Sequence, residues 1–379
     1  MKVQQIRLTA SVPERMDGFL SRIEPQLVTV FGVTTFFSDR RFVDALRDRF
    51  PNARFLGCST AGEISSVGVT EESCIVTGVE FDTTQVTEAS TRLACMEDSF
   101  DAGARIGSQL ATPDVKAIMV FAPGISINGS ALVAGMVSRV GPKVPITGGL
   151  AGDCGAFART WTLNSQGAST DEIVAIGLQG EAIEFAHGSF GGWKPFGPVR
   201  RITRCEGNVL YEINGEPALE VYKRYLGHQA SDLPASGLLF PFAIFDPEGK
   251  EAGPIRTILG VDRSMGSLTL AGSVETGGYL KLMHADTDGL VSGAKAAADA
   301  ARRMHTTSGN SLAILVSCVG RKLVMGNRTD EEVEAVSRVF GSRATLTGFY
   351  SYGEISPFTS GAACQLHNQT MTISWLGEH

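Results

Sequence analysis

ARFLGCSTAGE, residues 53–63, decides how the chain is read: a short apolar run gives way to small residues and closes on a glycine and a carboxylate. That is the pattern of a buried strand running into a tight turn. Before it come VTVFGVT (28–34), which reads as another buried strand, and DRRFVDALRDRF (39–50), whose apolar residues recur at the spacing of an amphipathic helix. After it, SCIVTGVEF (73–81) resumes a strand pattern. The same succession is written twice more. AIMVFAP (117–123), a helix near NGSALVAGMVSRV (128–140) and VPITGGLAGD (144–153) form a second copy; SLAILVSCVGR (311–321), a helix near DEEVEAVSRVF (330–340) and ATLTGFYSYGE (344–354) form a third. Aligned on their Gly-acid endings, the loops run from Gly57 to Glu63, from Gly148 to Asp153 and from Gly348 to Glu354. Internal repetition of this kind marks a fold assembled from one supersecondary unit.

Between the second and third copies lie β-rich segments punctuated by Gly, Pro and Asn-Gly, among them DEIVAIGLQG, IEFAHGSFGGW, VRRITRCEGNVLYEING, FAIFDPEG and GPIRTILGV. They predict antiparallel hairpins, one turning at Asp246-Pro247-Glu248-Gly249. Helices are expected from Pro217 (PALEVYKRYLG) and over about 287–305 (TDGLVSGAKAAADAARRMH). The fold class is therefore α+β, with mixed sheets built from repeated strand-helix-strand units plus antiparallel hairpins, in two domains. A dinucleotide-binding order does not follow, because no Gly-x-Gly-x-x-Gly succeeds a strand.

With 379 residues the chain has room for two domains, and 43% hydrophobic against 19% charged residues is the composition of a folded protein. The formal net charge of -7, without long runs, argues against nucleic acid or an anionic membrane as partner and leaves small molecules and proteins. The opening MKVQQIRLTASVPERMDGFL shows no signal-peptide pattern, and no segment is apolar enough to span a bilayer, so a soluble, cytoplasmic protein is expected. Seven scattered cysteines without a Cys-x-x-Cys pair fit reduced thiols.

Glycine lets backbone approach a ligand, and a carboxylate accepts hydrogen bonds; Glu63, Asp153 and Glu354 would thus either converge on one site or each satisfy its own loop amides. Tyr350 and Tyr352 add phenol donors beside Glu354, and Arg321 would pair with Glu354 or hold a ligand carboxylate. A second cluster, His187-Gly-Ser-Phe-Gly-Gly-Trp193, sets a histidine beside aromatics and glycines, where it would serve as a metal ligand or as a hydrogen-bonded structural residue. His228, His284, His305 and His367 are its rivals. Enzyme signals are thin. Cys58-Ser59 follows a strand as a nucleophile would, yet the Gly-x-Ser-x-Gly elbow is missing.

GCSTAGEI (57–64), GGWKPFGPVRRITRCEGNVLYEINGEPALEVYKRYLG (191–227), LPASGLLFPF (233–242), SCVGRKLVMGNRTDEE (317–332) and GFYSYGEISP (348–357) together resemble FIST proteins, in the family's order. The resemblance implies a FIST N domain over 28–220 and a FIST C domain over 221–358, and a sensory protein of bacteria, not an enzyme. It implies a small ligand such as an amino acid, and a separate histidine kinase or cyclic-di-GMP signalling enzyme as partner, with a homodimer among the assemblies allowed. A stand-alone chain of this size also resembles the haem-binding, nitric-oxide-sensing FIST proteins of two-component systems. That subset implies haem b, with His187 as the iron ligand and Trp193 beside it. The small-ligand alternative places Glu63, Arg321, Tyr350, Tyr352 and Glu354 in the pocket.

Overall fold

Three six-stranded sheets of identical plan form the body of the protein, seen in a computed structural model that describes residues 1–9, 22–306, 309–357 and 363–379. The part of the N-terminal reading that falls on 10–20 lies outside the described residues. Each copy contributes an edge strand, a parallel pair and a closing antiparallel strand. In the first copy these are Lys2–Leu8, then Leu27–Gly32 with Arg54–Ser59, then Cys74–Glu80. In the second they are Gln85–Arg92, Val115–Ala122 with Ile146–Leu150, and Glu172–Gln179. In the third they are Ile183–Phe190, Ser311–Cys318 with Ala344–Ser351, and Met371–Glu378.

No sheet completes itself. After its Gly-acid turn each copy sends a short hairpin into another copy's sheet. Glu63–Ser65 pairs antiparallel with Ala344–Ser351, Gly353–Pro357 with Ile146–Leu150, and Thr162–Asn164 with Arg54–Ser59. The exchange is cyclic and gives the body a pseudo-threefold plan. On its axis Phe31, Phe121 and Phe349 meet ring to ring, with centroids 5.4, 5.0 and 5.3 Å apart. Offset and edge-on aromatic contacts of this kind suit a core that must join three sheets without leaving a void.

The glycine that opens each loop has a steric reason. A Cβ on Gly57, Gly148 or Gly348 would lie 2.4, 1.8 or 1.9 Å from the carbonyl oxygen of Val30, Val120 or Leu315 on the parallel neighbour. Gly148 and Gly348 also hold φ of +142° and +151°. Two further equivalences bind the sheets: Thr77 Oγ1 donates to Thr347 Oγ1 (3.1 Å), and Ser374 Oγ donates to Thr147 Oγ1 (2.8 Å).

The helices lie outside the sheets, for the reason their periodicity predicts. Arg40–Arg49 buries Phe42, Val43 and Leu46, and Asp39 caps it by accepting from Arg41 N. Ser99–Leu110, unmarked in the sequence reading, packs on Gly129–Val140 through glycines; a Cβ on Gly103 would meet Leu132 O at 2.0 Å, and one on Gly135 would meet Phe100 O at 2.0 Å. Thr287–Arg302, capped by Asp286, lays Ala294, Ala297, Ala298 and Ala301 against Ile183–Phe190. The remaining sheet, eight-stranded and antiparallel, is inserted in the third copy between Ile183–Phe190 and that helix, and it wraps Ala218–Leu226. None of the described helices is long and apolar enough to cross a membrane.

Gly348→Ala should lower the urea unfolding midpoint by the equivalent of about 3–5 kcal/mol, because left-handed strain and overpacking against Leu315 O add. Gly341→Ala, at φ +75° with nothing near the added methyl, should cost only about 1–2 kcal/mol.

Candidate functional site

The three loops do gather, but they pack on one another. Ala61 N donates to Tyr350 O and Tyr350 N to Gly62 O, Gly152 N donates to Ser59 O, and Tyr352 N donates to Leu150 O. Their carboxylates are consumed locally. Buried Glu63 accepts from Thr60 Oγ1 (2.6 Å) and from Ser73 through Oγ and N; buried Glu354 accepts from Ser351 Oγ (2.6 Å) and from Thr370 through N and Oγ1. Each of these two acids locks a hairpin to the strand that follows it.

The second copy's loop departs from the expected alignment. Glu63 stands opposite Phe349 and Glu354 opposite Gly149, and the residue at that place in the second copy is Thr162, opposite Cys58. Thr162 Oγ1 donates to Glu172 O (2.8 Å). Asp153 comes earlier and organises an extra loop, accepting from the amides of Phe157, Ala158 and Arg159 and from Tyr352 OH. Phe157 stacks on Tyr352 with ring centroids 4.1 Å apart.

Arg321 does not sit at a strand end. It lies in the first turn of the short helix Val319–Met325, fully buried, and its partner is Glu332 rather than Glu354, at 2.7 Å. Its other contacts go to Gly191 O and Leu290 O. Glu332 in turn accepts from Tyr350 OH (2.7 Å) and Ser317 Oγ (2.9 Å). One buried ion pair thus ties the Gly191-Gly192-Trp193 segment, the helix Thr287–Arg302 and the Tyr350 loop together.

A fourth element converges there that the sequence reading did not single out: the turn His367-Asn368-Gln369-Thr370, every residue of which is buried. Gln369 holds φ +66°. Its backbone oxygen accepts from Trp193 Nε1 (2.8 Å), and its side-chain Nε2 donates to Leu238 O (2.9 Å) and Thr257 Oγ1 (3.1 Å). Gly320, next to Arg321, leaves room for that amide: a Cβ there would lie 2.4 Å from it. Two acceptors in the turn, Asn368 Oδ1 and Gln369 Oε1, have no donor among the described residues. A buried acceptor without a donor costs about 1–3 kcal/mol, and such groups gather where a ligand is to be met. Left-handed backbone at a non-glycine residue is a second mark of a functional position. Beside the turn, Trp193 lines a cleft of about 580 Å³ with Phe190, Gly192, Lys194, Asp286 and Gly289.

Trp193, Arg321, Tyr350 and Glu354 all reach this junction. Glu63 and Tyr352 belong to the neighbouring corners. His187 does not join Trp193. It lies mid-strand opposite Ser374, 5% exposed, with a pKa lowered by burial, and it is not among the residues of the Trp193 cleft. A porphyrin needs an open slot against its axial ligand. A strand-borne ring inside a two-sheet core, with Trp193 already hydrogen-bonded to Gln369 and packed among Ala243, Ile255 and Leu290, does not fit haem b. Two of the rival histidines are engaged as well, His367 with Ser356 O (2.9 Å) and His305 stacked on Trp375 at 3.6 Å. No group of three or more His, Cys, Asp or Glu with metal-holding geometry occurs among the described residues. Cys58 lies in the core, where burial raises its thiol pKa, the reverse of what an activated nucleophile needs.

Fold and junction together bring residues of two long sequence segments into one body. Those segments are known: residues 26–216 match the FIST N domain and 218–357 the FIST C domain, and the chain belongs to the FIST family. FIST domains are signal-transduction sensor domains that bind small ligands and are not in general enzymes. The chain is similar to an uncharacterized protein of Methanocaldococcus jannaschii (24% identical, covering 49% of this chain and 37% of the relative). It is also similar to uncharacterized proteins of Mycobacterium bovis (24%, 68% and 63%) and Mycobacterium tuberculosis (25%, 54% and 54%). It thus spans between 37% and 63% of the length of these curated relatives. Among solved structures it resembles cyanuric acid hydrolase from A. caulinodans at a TM-score of 0.37 and 10% identity, covering 100% of this chain and 99% of that one.

Arg321→Met should destabilise by about 3–5 kcal/mol in denaturant unfolding because Glu332 is left buried without a counter-charge, and Arg321→Met with Glu332→Leu should recover most of the loss. A second expectation concerns pH. Burial pushes the Glu354 pKa from 4.5 up to about 7, so the folded state holds an extra proton between those values, and the stability this gives is lost as pH rises through 7. Buried His367, pushed from 6.5 down to about 4, acts in the opposite sense over nearly the same window. The informative quantity is therefore the difference between proteins: the stability of Glu354→Gln relative to wild type should climb between pH 5 and 8. A difference flat in pH would be incompatible with a buried, proton-binding Glu354.

Proposed function

We propose that this chain is a sensor of a small polar organic molecule, an amino acid or a close analogue, held at the junction of the Gln369 turn, the Trp193 segment and the Leu238 segment. Its occupancy is reported to a separate histidine kinase or cyclic-di-GMP signalling enzyme in the cytoplasm. The observation that carries the reading is the pair of buried amide oxygens, Asn368 Oδ1 and Gln369 Oε1, lying without donors in the turn that Trp193 binds through the Gln369 backbone oxygen. A ligand bearing N–H groups relieves the cost of both.

The same contacts offer a route outward. Gln369 is joined to Trp193 through its backbone oxygen, and Thr370, the next residue, holds Glu354. A ligand that draws the Gln369 turn therefore acts on the Trp193 segment, whose neighbour Lys194 bridges to Asp286 at 3.0 Å on the surface. A change of state requires only that the ligand prefer one arrangement of this turn over another.

Thermal unfolding of the full chain against a panel of amino acids and amines at millimolar concentration tests the reading. A ligand at a hundredfold excess over its Kd should add about 2.7 kcal/mol of stability. Asn368→Leu should weaken that response. If no panel member stabilises the protein, the two oxygens are simply hydrated and the proposal fails. Haem loading decides the competing gas-sensor reading: the expected result is no sharp Soret band, and a band that His187→Ala abolishes would transfer the function to haem and nitric oxide.

A further inference from the structure

The inserted sheet brings a charge to this junction that the reading above does not use. Arg256 closes the strand Glu251–Arg256, is 8% exposed, and spends its donors on backbone: Nε on Ser273 O (3.1 Å) and Nη1 on Ile255 O (3.3 Å). No carboxylate forms an ion pair with it among the described residues, whereas Arg321, the other guanidinium buried as deeply, has Glu332. A buried cation without an anion is costly, and burial alone lowers the pKa of Arg256 to about 10.

Its surroundings keep that cation in place. Gly272, at φ +135°, clears the space over the guanidinium, since a Cβ there would lie 2.8 Å from Arg256 Cζ. The following residue, Thr257, accepts from Gln369 Nε2 at 3.1 Å. The strand of Arg256 packs against Cys364–His367, and its charge contributes to keeping His367 neutral. Nη2 donates to no described residue, and Arg256 stands one residue before Thr257, which binds the Gln369 amide whose oxygen lacks a donor.

We infer that Arg256 is the anion-binding residue of the ligand site, so that the ligand is a small carboxylate whose acid group meets the guanidinium while its N–H donors meet Asn368 and Gln369. This rests on the junction being the sensory site. A guanidinium offers a planar fork matched to a carboxylate, and in a water-poor setting such a charge-assisted pair is strong.

The experiment is thermal unfolding of the full chain at constant ionic strength, titrated with glycine, glycinamide, acetate, acetamide and inorganic phosphate. Glycine and acetate should raise Tm saturably, with the two amides and matched sodium chloride inert, and Arg256→Gln should weaken the glycine response at least about tenfold. Should Arg256→Gln not fold, the acid-against-amide comparison in wild type still decides. Equal stabilisation by glycine and glycinamide, retained in Arg256→Gln, would overturn the role of Arg256 and leave the sensor reading standing. A phosphate response equal to that of acetate would overturn the preference for a carboxylate. Silence from the whole panel would sink both.

Discussion

Each of the three sheets lacks its last hairpin until another copy supplies it, and that constraint governs the molecule. Strands left open at that edge would expose unpaired amides and carbonyls, so the copies become stable only together. The hairpins exchange at the point where each chain segment leaves its parallel pair, so all three turns are driven to the same end of the body. Backbone must pass close to backbone there. Gly57, Gly148 and Gly348 meet carbonyl oxygens of the adjacent strand, and Gly152 packs directly on Ala61 N. The turns therefore form a packed knot, and an opening for a guest has to be found beside it.

Where the threefold plan is broken, the chemistry differs. Two corners are closed by the same device, a glutamate that accepts from the hydroxyl three residues before it and from the residue just before the closing strand: Thr60, Glu63 and Ser73 in one, Ser351, Glu354 and Thr370 in the other. The third uses Thr162 and carries an extra loop set by Asp153. The Glu354 corner is the one to which the third copy adds its insertion, so that Trp193, Leu238 and Thr257 converge on the residue just before Thr370. A structural carboxylate lock has thereby become the base of a polar junction. Its ion pair, Arg321 with Glu332, is buried beyond reach of solvent. Such a pair adds little net stability, but it fixes which segments touch, because every alternative arrangement leaves a charge bare.

How much of this is legible in the sequence follows from the range of each interaction. The helices Arg40–Arg49, Gly129–Val140 and Asp330–Phe340 lie where apolar spacing puts them, since periodicity is local. The Glu63 and Glu354 turns show as repeats because the Gly-acid ending, and the hydroxyl three residues before each acid, are local. Asp153 looked like their counterpart only because Gly-Asp follows a strand; the register of Thr162 against Cys58 joins residues too distant for any pattern to show. Glu332 was hidden among acids that the start of a helix favours on its own account. Gln369 was hidden by the opposite effect, since Asn-Gln-Thr between two strands reads as an ordinary exposed turn, and only its burial against the inserted sheet makes it exceptional.

The insertion also explains why the junction suits sensing more than catalysis. Its polar groups come from the third copy's closing turn, from the Trp193 segment and from the inserted sheet, segments far apart in sequence that meet at Gln369, Thr257 and Arg321 and pack around Trp193. A site built inside one sheet would be rigid, and occupancy would change little at the surface. A site shared by segments distant in sequence gives a ligand contacts to each of them, so its binding bears on how they are arranged. The buried Arg321–Glu332 pair sets the limit of that motion. It keeps Gly191, Leu290 and the Tyr350 loop in register, and the segment beyond Gly191 runs on through Trp193 to Lys194, which pairs with Asp286 on the surface.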